Sequence, residues 1–396
     1  MQSKEFFQQH LAQTTEHAIG LEIERAEGSY LYDNNGKAYL DFISGIAVSA
    51  FGHGHPRIKK ALKAQIDQHL HVMVYGEFIQ NAQNRLAKAL LKTLPAKLSS
   101  FYFVNSGTEA IEAALKLAKR STTRKQIVAF KGGYHGSTHG ALSVSWNEER
   151  KKNYRPLLPN IHFLEWNAVE ELQKITKETA AVILETIQGD AGVRIPSIAF
   201  MQALRQRCNE TGALLILDEI QCGMGRSGKM WAFEYFGIVP DMMTAGKALG
   251  AGLPIGCLAT SQELMANFSH SPSLGHITTF GGHPLPCAAA AEGLHIMEEE
   301  GLLDRIVEKG DYLEKKIKHP SIKTIRRKGL MVAIELKSES MVDVVVNKAK
   351  ERGLILFWFL STPNAFRIAP PYTISTKEID KGCGIVRDIL DELEAN

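Results

Sequence analysis

The runs Gln126-Ile127-Val128-Ala129-Phe130, Ala180-Ala181-Val182-Ile183-Leu184 and Ala213-Leu214-Leu215-Ile216-Leu217 constrain the fold of this chain most. None alternates between apolar and polar residues. A strand with one face in water would alternate, so these runs predict strands buried on both faces, in a sheet sandwiched between helices. The sequence between them supplies the helices. Residues 109–120 and 200–211 are amphipathic, and residues 288–300 begin a long helix rich in Ala and Glu. Strand runs alternating with helical ones indicate an α/β fold. With 396 residues, 44% of them hydrophobic, the chain can bury a large core and has the length of two domains. After residue 300 the texture changes, and segments 324–336, 349–356 and 365–368 suggest a smaller α/β unit. We expect a large domain at residues 50–285 and a small domain built from both ends, 1–49 and 286–396.

Two residues at the edges of these runs carry chemistry. Asp218 closes the run that ends at Leu217, and Lys247 sits among small residues in Thr244-Ala245-Gly246-Lys247-Ala248-Leu249-Gly250. A lysine in such a setting can meet an aldehyde and form a Schiff base. A carboxylate at the end of a buried strand can hold a protonated ring nitrogen. Pyridoxal phosphate needs both, a lysine for its aldehyde and an anion for its pyridinium. A third part stands earlier in the chain. Ser106-Gly107-Thr108 lies between the short apolar run Phe101-Tyr102-Phe103-Val104 and the helical pattern of Ala110, Ile111, Ala114, Leu115 and Ala118. A strand-to-helix turn offers free N–H groups and the positive end of a helix dipole to a phosphate. An ordinary Ser/Thr helix cap is the simpler alternative for that segment alone.

These residues belong to a longer resemblance. The stretch Leu217-Asp218-Glu219-Ile220-Gln221-Cys222-Gly223-Met224-Gly225-Arg226-Ser227-Gly228, with Pro240-Asp241 and Lys247 after it, resembles the signature of class III (subgroup II) aminotransferases. Leu31-Tyr32-Asp33, Gly52-His53-Gly54-His55-Pro56, Asn105 to Ala110, Tyr134-His135-Gly136, Glu185, Gln188-Gly189, Thr279-Phe280-Gly281-Gly282 and Arg367 follow in that family's order. The resemblance implies fold type I, with a mostly parallel seven-stranded sheet in the large domain. It implies transamination with pyridoxal 5'-phosphate, in an enzyme of the acetylornithine, ornithine and 4-aminobutyrate aminotransferase kind. It also implies roles. Lys247 binds the cofactor covalently and Asp218 faces its ring nitrogen. Gln221 lies near its phenolic oxygen, Tyr134 stacks on the ring, and Gly107 and Thr108 hold the phosphate with Ser106 beside them. Glu185 is a carboxylate near the cofactor. Thr279 matches a threonine that reaches the phosphate of the other subunit, which implies a symmetric homodimer with shared active sites. Arg367 matches the arginine that binds a substrate carboxylate.

The sequence departs from the family at three places. The family often has a Glu that masks this arginine, and here Gln188-Gly189 is followed by Asp190, one methylene shorter, so a poor mask is expected. Acetylornithine enzymes show Phe-His-Gly-Arg where this chain has Tyr134-His135-Gly136-Ser137, so one carboxylate clamp is missing unless a cation such as Lys131 fills the space. The aromatic run Ile355-Leu356-Phe357-Trp358-Phe359-Leu360 reads as a buried strand of the small domain, with the wall of an apolar substrate channel as the alternative.

Other classes are excluded. Gly223-x-Gly225-x-x-Gly228 copies a dinucleotide fingerprint, but five residues separate it from the strand and no small apolar helix start follows. As a P-loop it fails at Met230, where a hydroxyl should hold magnesium. His135 and His139 have metal-ligand spacing, but Gly136 and Gly140 oppose a helix there; His53 and His55 flank a turn. The net charge of +3 and the lack of a basic–aromatic tract argue against nucleic acid. No run has membrane-spanning length. Five scattered cysteines without a C-x-x-C pair, and a polar beginning to the sequence, suggest a cytoplasmic protein. An aminomutase, racemase or decarboxylase on the same scaffold, or a silent cofactor-binding protein, are the rival readings.

Overall fold

The computed structural model describes residues 3–16 and 18–395. Met1, Gln2, His17 and Asn396, all within the ends assigned to the smaller unit, lie outside the described residues. A seven-stranded sheet runs in the order Ser100–Val104, Gly256–Thr260, Met242–Ala245, Leu214–Asp218, Thr179–Glu185, Gln126–Phe130, Ile161–Leu164. Gly256–Thr260 is antiparallel to both its neighbours, and the other pairings are parallel. The expected mostly parallel sheet is therefore present.

The lack of alternation in the three apolar runs has a direct cause. Successive side chains of a strand point to opposite faces, and here both faces are covered. Ile127, Ala129, Ala181, Ile183 and Ile216 pack into one core beneath the helix Gly107–Thr122. Val128, Phe130, Val182, Leu184, Leu215 and Leu217 pack into the other, with Phe200, Met201 and Leu204 of the helix Ile198–Thr211. Each of the Val, Leu, Ile, Phe and Met side chains buried there contributes roughly 1.5–3 kcal/mol.

Both ends of the chain meet in a second region. Ile23–Glu27, Tyr30–Asp33 and Ala38–Asp41 form an antiparallel sheet that Leu354–Ile355 extends in parallel, Leu354 pairing with Leu40. A third sheet has the order Thr324–Lys328, Met331–Glu335, Ala365–Ile368, Phe357–Trp358. The helices Leu302–Ile317, Glu339–Glu351 and Thr376–Ala395 share one core with these strands, through Leu313, Val345 and Val386 among others.

Two expectations change. The helix expected from residue 288 starts at Pro284, whose fixed φ suits a first turn, and stops at Glu299. Gly301, at φ +58°, breaks it from the next helix. The aromatic run at 355–360 is not one strand but parts of two, and its side chains divide between core and cavity, as described below. Among the described residues no helix is long and apolar enough to cross a membrane.

Gly256 starts the antiparallel strand directly against the loop that follows Ser100–Val104. A Cβ there would collide with the carbonyl of Ser106 and lie 2.8 Å from Val104 Cγ2. Gly256→Ala should therefore cost about 1–3 kcal/mol through overpacking. Urea unfolding of the two proteins measures it, and an unchanged midpoint would show that the loop moves aside freely.

Candidate active site

The loops leaving the carboxyl ends of the parallel strands enclose a cavity of about 460 Å³, the usual ligand position in such sheets. Strand register brings the key residues there. Glu185 and Asp218 are partners on adjacent strands, and Asp218 is in turn paired with Thr244, three residues before Lys247. Lys247, Asp218, Glu185, Gln221, Tyr134, Gly107, Thr108 and Arg367 all border the cavity.

Asp218 is 4% exposed, and each of its carboxylate oxygens has one protein partner. Its Oδ1 accepts from the Ile220 amide at 3.0 Å, and its Oδ2 lies 2.8 Å from His135 Nδ1. A carboxylate only accepts, so Nδ1 carries the proton in this pair. The Ser145 hydroxyl accepts from the His135 backbone amide at 2.9 Å and fixes the residue. For His135 the sequence favours a turn or supporting role over metal binding, and the contact with Asp218 is such a supporting role.

Lys247 leaves its strand at φ +47°, in the left-handed region that a non-glycine residue adopts at a cost of order 1–3 kcal/mol. Burial lowers its pKa, Asp218 and Glu185 oppose that shift, and Arg367 adds to it. A lowered pKa makes the neutral, nucleophilic amine more accessible. Glu185 joins two loops: its Oε1 accepts from the Tyr134 amide at 3.0 Å and its Oε2 from the Gly189 amide at 2.8 Å. Burial pushes its pKa up to about 7, with Asp218 adding to the rise and His135 opposing it.

The helix Gly107–Thr122 points its N-terminus at the cavity. Its first intrahelical bond runs from the Ala110 amide to the Ser106 carbonyl, so the amides of Gly107 and Thr108 precede it. Ser106 caps the helix by accepting from the Glu109 amide at 3.3 Å and does not border the cavity, which favours the cap over the cradle for that side chain. A Cβ at Gly107 would meet Ile220 Cδ1 at 2.8 Å, and one at Gly136, at φ +128°, would collide with Thr108 Oγ1. Glycine is required at both for this close approach.

Arg367 and Asp190 correct the sequence expectation. Despite its shorter side chain, Asp190 reaches Arg367 Nη2 at 3.1 Å, and both are buried. Thr279 is exposed and does not border its own chain's cavity. Phe357 and Leu360, which the alternative reading of the 355–360 run placed on a substrate channel, form an apolar wall together with Ile46, which the sequence did not point to. Ile46 lies in a left-handed turn, Ser44–Ala47, with φ +63°. Asp41 Oδ1 holds the turn by accepting from the amides of Ile43 and Ser44 at 2.9 and 2.8 Å.

A class III aminotransferase family model matches residues 11–390. The chain belongs to the class III aminotransferases. Acetylornithine aminotransferase of Archaeoglobus fulgidus is 39% identical over 365 residues, 92% of this chain and 94% of that protein. LysW-aminoadipate semialdehyde/glutamate semialdehyde transaminase of Sulfolobus acidocaldarius is 37% identical over 380 residues, 95% of this chain and 96% of that protein. The solved ornithine aminotransferase of Toxoplasma gondii superimposes with a TM-score of 0.91 at 27% identity, covering 99% of this chain and 94% of that one. The enzyme is thus a transaminase of the pyridoxal phosphate type, with the fold of these relatives.

The cavity fits that cofactor on its own features. The unbonded helix-end amides of Gly107 and Thr108 suit a phosphate. The buried, doubly bonded Asp218 suits a cationic ring nitrogen, and Lys247 lies on the same cavity. A Cβ at Gly189 would collide with the Gln221 amide, which glycine leaves free to project toward the cavity.

The raised pKa of Glu185 has a sign. Its folded value of about 7 exceeds an unfolded value of about 4.3, so the folded state holds more protons between them. Stability of the cofactor-free protein should fall as pH rises from about 4.3 to 7. Glu219, also raised to about 7 by burial, adds to the fall. Glu185→Gln should flatten the slope in part and the Glu185→Gln/Glu219→Gln double variant further. Urea midpoints across that pH range are the measurement, and a wild-type slope in the double variant would contradict the assignment.

Proposed function

We propose that this aminotransferase moves an amino group from an ω-amino donor, of the ornithine, acetylornithine or 4-aminobutyrate kind, to an oxo acid, with 2-oxoglutarate the expected acceptor. One observation carries the reading. A desolvated lysine, a buried carboxylate and an arginine border one cavity, with Ile46, Phe357 and Leu360 as an apolar part of its wall.

Bound there, pyridoxal phosphate supplies an aldehyde that takes up the amino group and a ring that accepts the electrons of the breaking C–H bond. The chain's residues do the rest. Gly107 and Thr108 hold the phosphate, and Tyr134 covers one face of the ring. Asp218 keeps the ring nitrogen protonated, because an anion beside it favours the charged form. His135 and the Ile220 amide hold the Asp218 carboxylate in place. Gln221 donates from its amide without changing the charge. Lys247 Nζ, once released by the incoming amine, would be the base placed to hold the proton taken from the substrate carbon. Glu185 fixes the loops of Tyr134 and Gly189 through their amides. Arg367 binds the carboxylate of the oxo acid.

The donor's distal end meets Ile46, Phe357 and Leu360. Ser137 borders the cavity where acetylornithine enzymes carry an arginine, and Lys131 does not replace it, being ion-paired with Glu165 away from the cavity. Uncharged donor tails should therefore be favoured over a distal carboxylate. Thr279 of a second copy would complete the phosphate site in a homodimer. Exposed Ile79, Leu274, Ile277 and Phe280 near that segment support such an interface. The five buried free cysteines suit a cytoplasmic location.

Lys247→Ala should lose transamination by at least about 10²-fold, as expected when a positioned base and nucleophile is removed, while cofactor remains bound. A panel of amine donors, followed by the cofactor's visible absorbance, tests this and ranks the donors. Near-normal turnover in the variant would remove Lys247 from the chemistry. A wild-type preference for acetylornithine over uncharged-tail amines would overturn the donor reading.

A further inference from the structure

The His135 ring has a single polar anchor. Its Nδ1 bonds Asp218 Oδ2, whereas the buried Nε2 has no protein partner among the described residues. Gly133 lies against Nε2 instead, and a Cβ there would stand 3.2 Å from it. The distance from Nδ1 to Asp218 therefore depends on where the His135 backbone stands. That backbone is fixed from behind the cavity. Ser145 Oγ accepts from the His135 amide at 2.9 Å and donates to the Ala141 carbonyl at 2.9 Å. The Trp146 amide donates to the Gly133 carbonyl at 2.8 Å, so residues 133–135 are strapped to residues 145–146 at two points.

Ser145 in turn ends the helix His139–Val144. The last carbonyls of a helix have no partner within it. Here a lysine supplies one. Lys151 is only 5% exposed, and its Nζ donates to the carbonyls of Ser145 and Ser143 at 2.9 and 3.3 Å. The ring of Phe163 faces the same ammonium, with its centroid 4.5 Å away. Two carbonyls and one aromatic face match the three N–H groups of an ammonium. The Ser143 hydroxyl ties down the same helix end, donating to the His139 carbonyl at 2.6 Å and accepting from the Leu158 amide at 2.9 Å. Neither Ser145 nor Lys151 borders the cavity.

We propose, on the reading of Asp218 as the partner of the cofactor's ring nitrogen, that Lys151 and Ser145 form a brace that sets His135 against Asp218 and thereby supports the protonated ring. Both are positioning residues and touch neither cofactor nor substrate. The path runs from Lys151 Nζ to the Ser145 carbonyl, from the Ser145 hydroxyl to the His135 amide, and from His135 Nδ1 to Asp218. Without the brace, Asp218 keeps its bond to the Ile220 amide, but its second partner is no longer held in line. A simple helix-end cap would contribute stability alone. The brace also fixes the contact between Nδ1 and the carboxylate.

Two NMR signals of the cofactor-loaded enzyme test it. One is the downfield ¹H signal of His135 Nδ1–H, identified by its loss in His135→Ala. The other is the ¹⁵N signal of the ring-labelled cofactor. Ser145→Ala should move the proton signal upfield and the ring nitrogen toward neutral pyridine. Exchange of that proton with water should quicken, and kcat should fall, each by about two- to ten-fold, the scale of one lost hydrogen bond, with KM for the oxo acid unchanged. Lys151→Met should shift both signals the same way by less, and Lys151→Arg, which keeps a cation with several donors, should restore them. If Lys151→Met does not fold, Lys151→Gln takes its place with the same expected shifts. Ser197→Ala removes the cap of another helix, where Ser197 Oγ accepts from the Phe200 amide at 3.1 Å, and should lower stability while leaving both signals in place. Unmoved signals in Ser145→Ala would overturn the brace. So would a shift there with none at Lys151, or an equal shift in Ser197→Ala. Asp218→Asn separates the two claims. A ring nitrogen indifferent to it would refute the Asp218 reading, whereas one that responds to it but not to Ser145→Ala would refute the brace alone.

Discussion

The short contact between Asp218 and His135 is the constraint on which the site depends. A buried carboxylate without partners is costly enough to be protonated instead. Here one oxygen takes an imidazole N–H and the other a backbone amide, so both are partnered at 4% exposure. Strand register then arranges the rest. Glu185 lies beside Asp218, Thr244 lies on its other side, and Lys247 follows within one short turn. The loop that delivers His135 also delivers Tyr134, and Glu185 clasps that loop through the Tyr134 amide.

The side of the cavity that carries Arg367 comes from a different sheet. Arg367 is paired with Ala333 on one side and Phe357 on the other, so its strand is fixed in register within the sheet built by residues 324–368. The large sheet reaches it through two connections. Asp190, on the loop after Glu185, bonds Arg367 and the 360–362 turn. The fully buried Arg226, on the loop after Gln221, donates through Nη1 to the carbonyls of Leu330 and Pro370 at 3.2 and 2.6 Å. Cofactor side and substrate side are thus held by polar struts at the ends of elements, where backbone carbonyls lack ladder partners.

Much of this was legible in the sequence because burial on two faces leaves a plain mark. The runs at 126–130, 180–184 and 213–217 could hardly be anything but central strands, and Glu185 and Asp218 at the ends of two of them, with Lys247, border the cavity. Contacts between residues distant in sequence left no such mark. Nothing in residues 44–47 announced a left-handed turn that puts Ile46 into the cavity. The run at 355–360 was apolar enough for a buried strand, and only its break after Ile355 and again after Trp358 turns Phe357 and Leu360 toward the cavity. Side-chain length alone misjudged Asp190, because the loop backbone, not the missing methylene, determines whether it reaches Arg367. The Ser106 hydroxyl accepts from the Glu109 amide, the helix-cap role that the sequence also offered for it.

The central claim is that Asp218, held by His135, keeps the cofactor's ring nitrogen protonated. The direct measurement is the ¹⁵N NMR shift of that nitrogen in enzyme loaded with ring-labelled pyridoxal phosphate. At neutral pH the wild type should show the shift of a protonated pyridinium. Asp218→Asn should move it to that of a neutral pyridine, and His135→Ala should move it in the same direction. A neutral-pyridine shift in the wild type, or a shift indifferent to Asp218, would contradict the account.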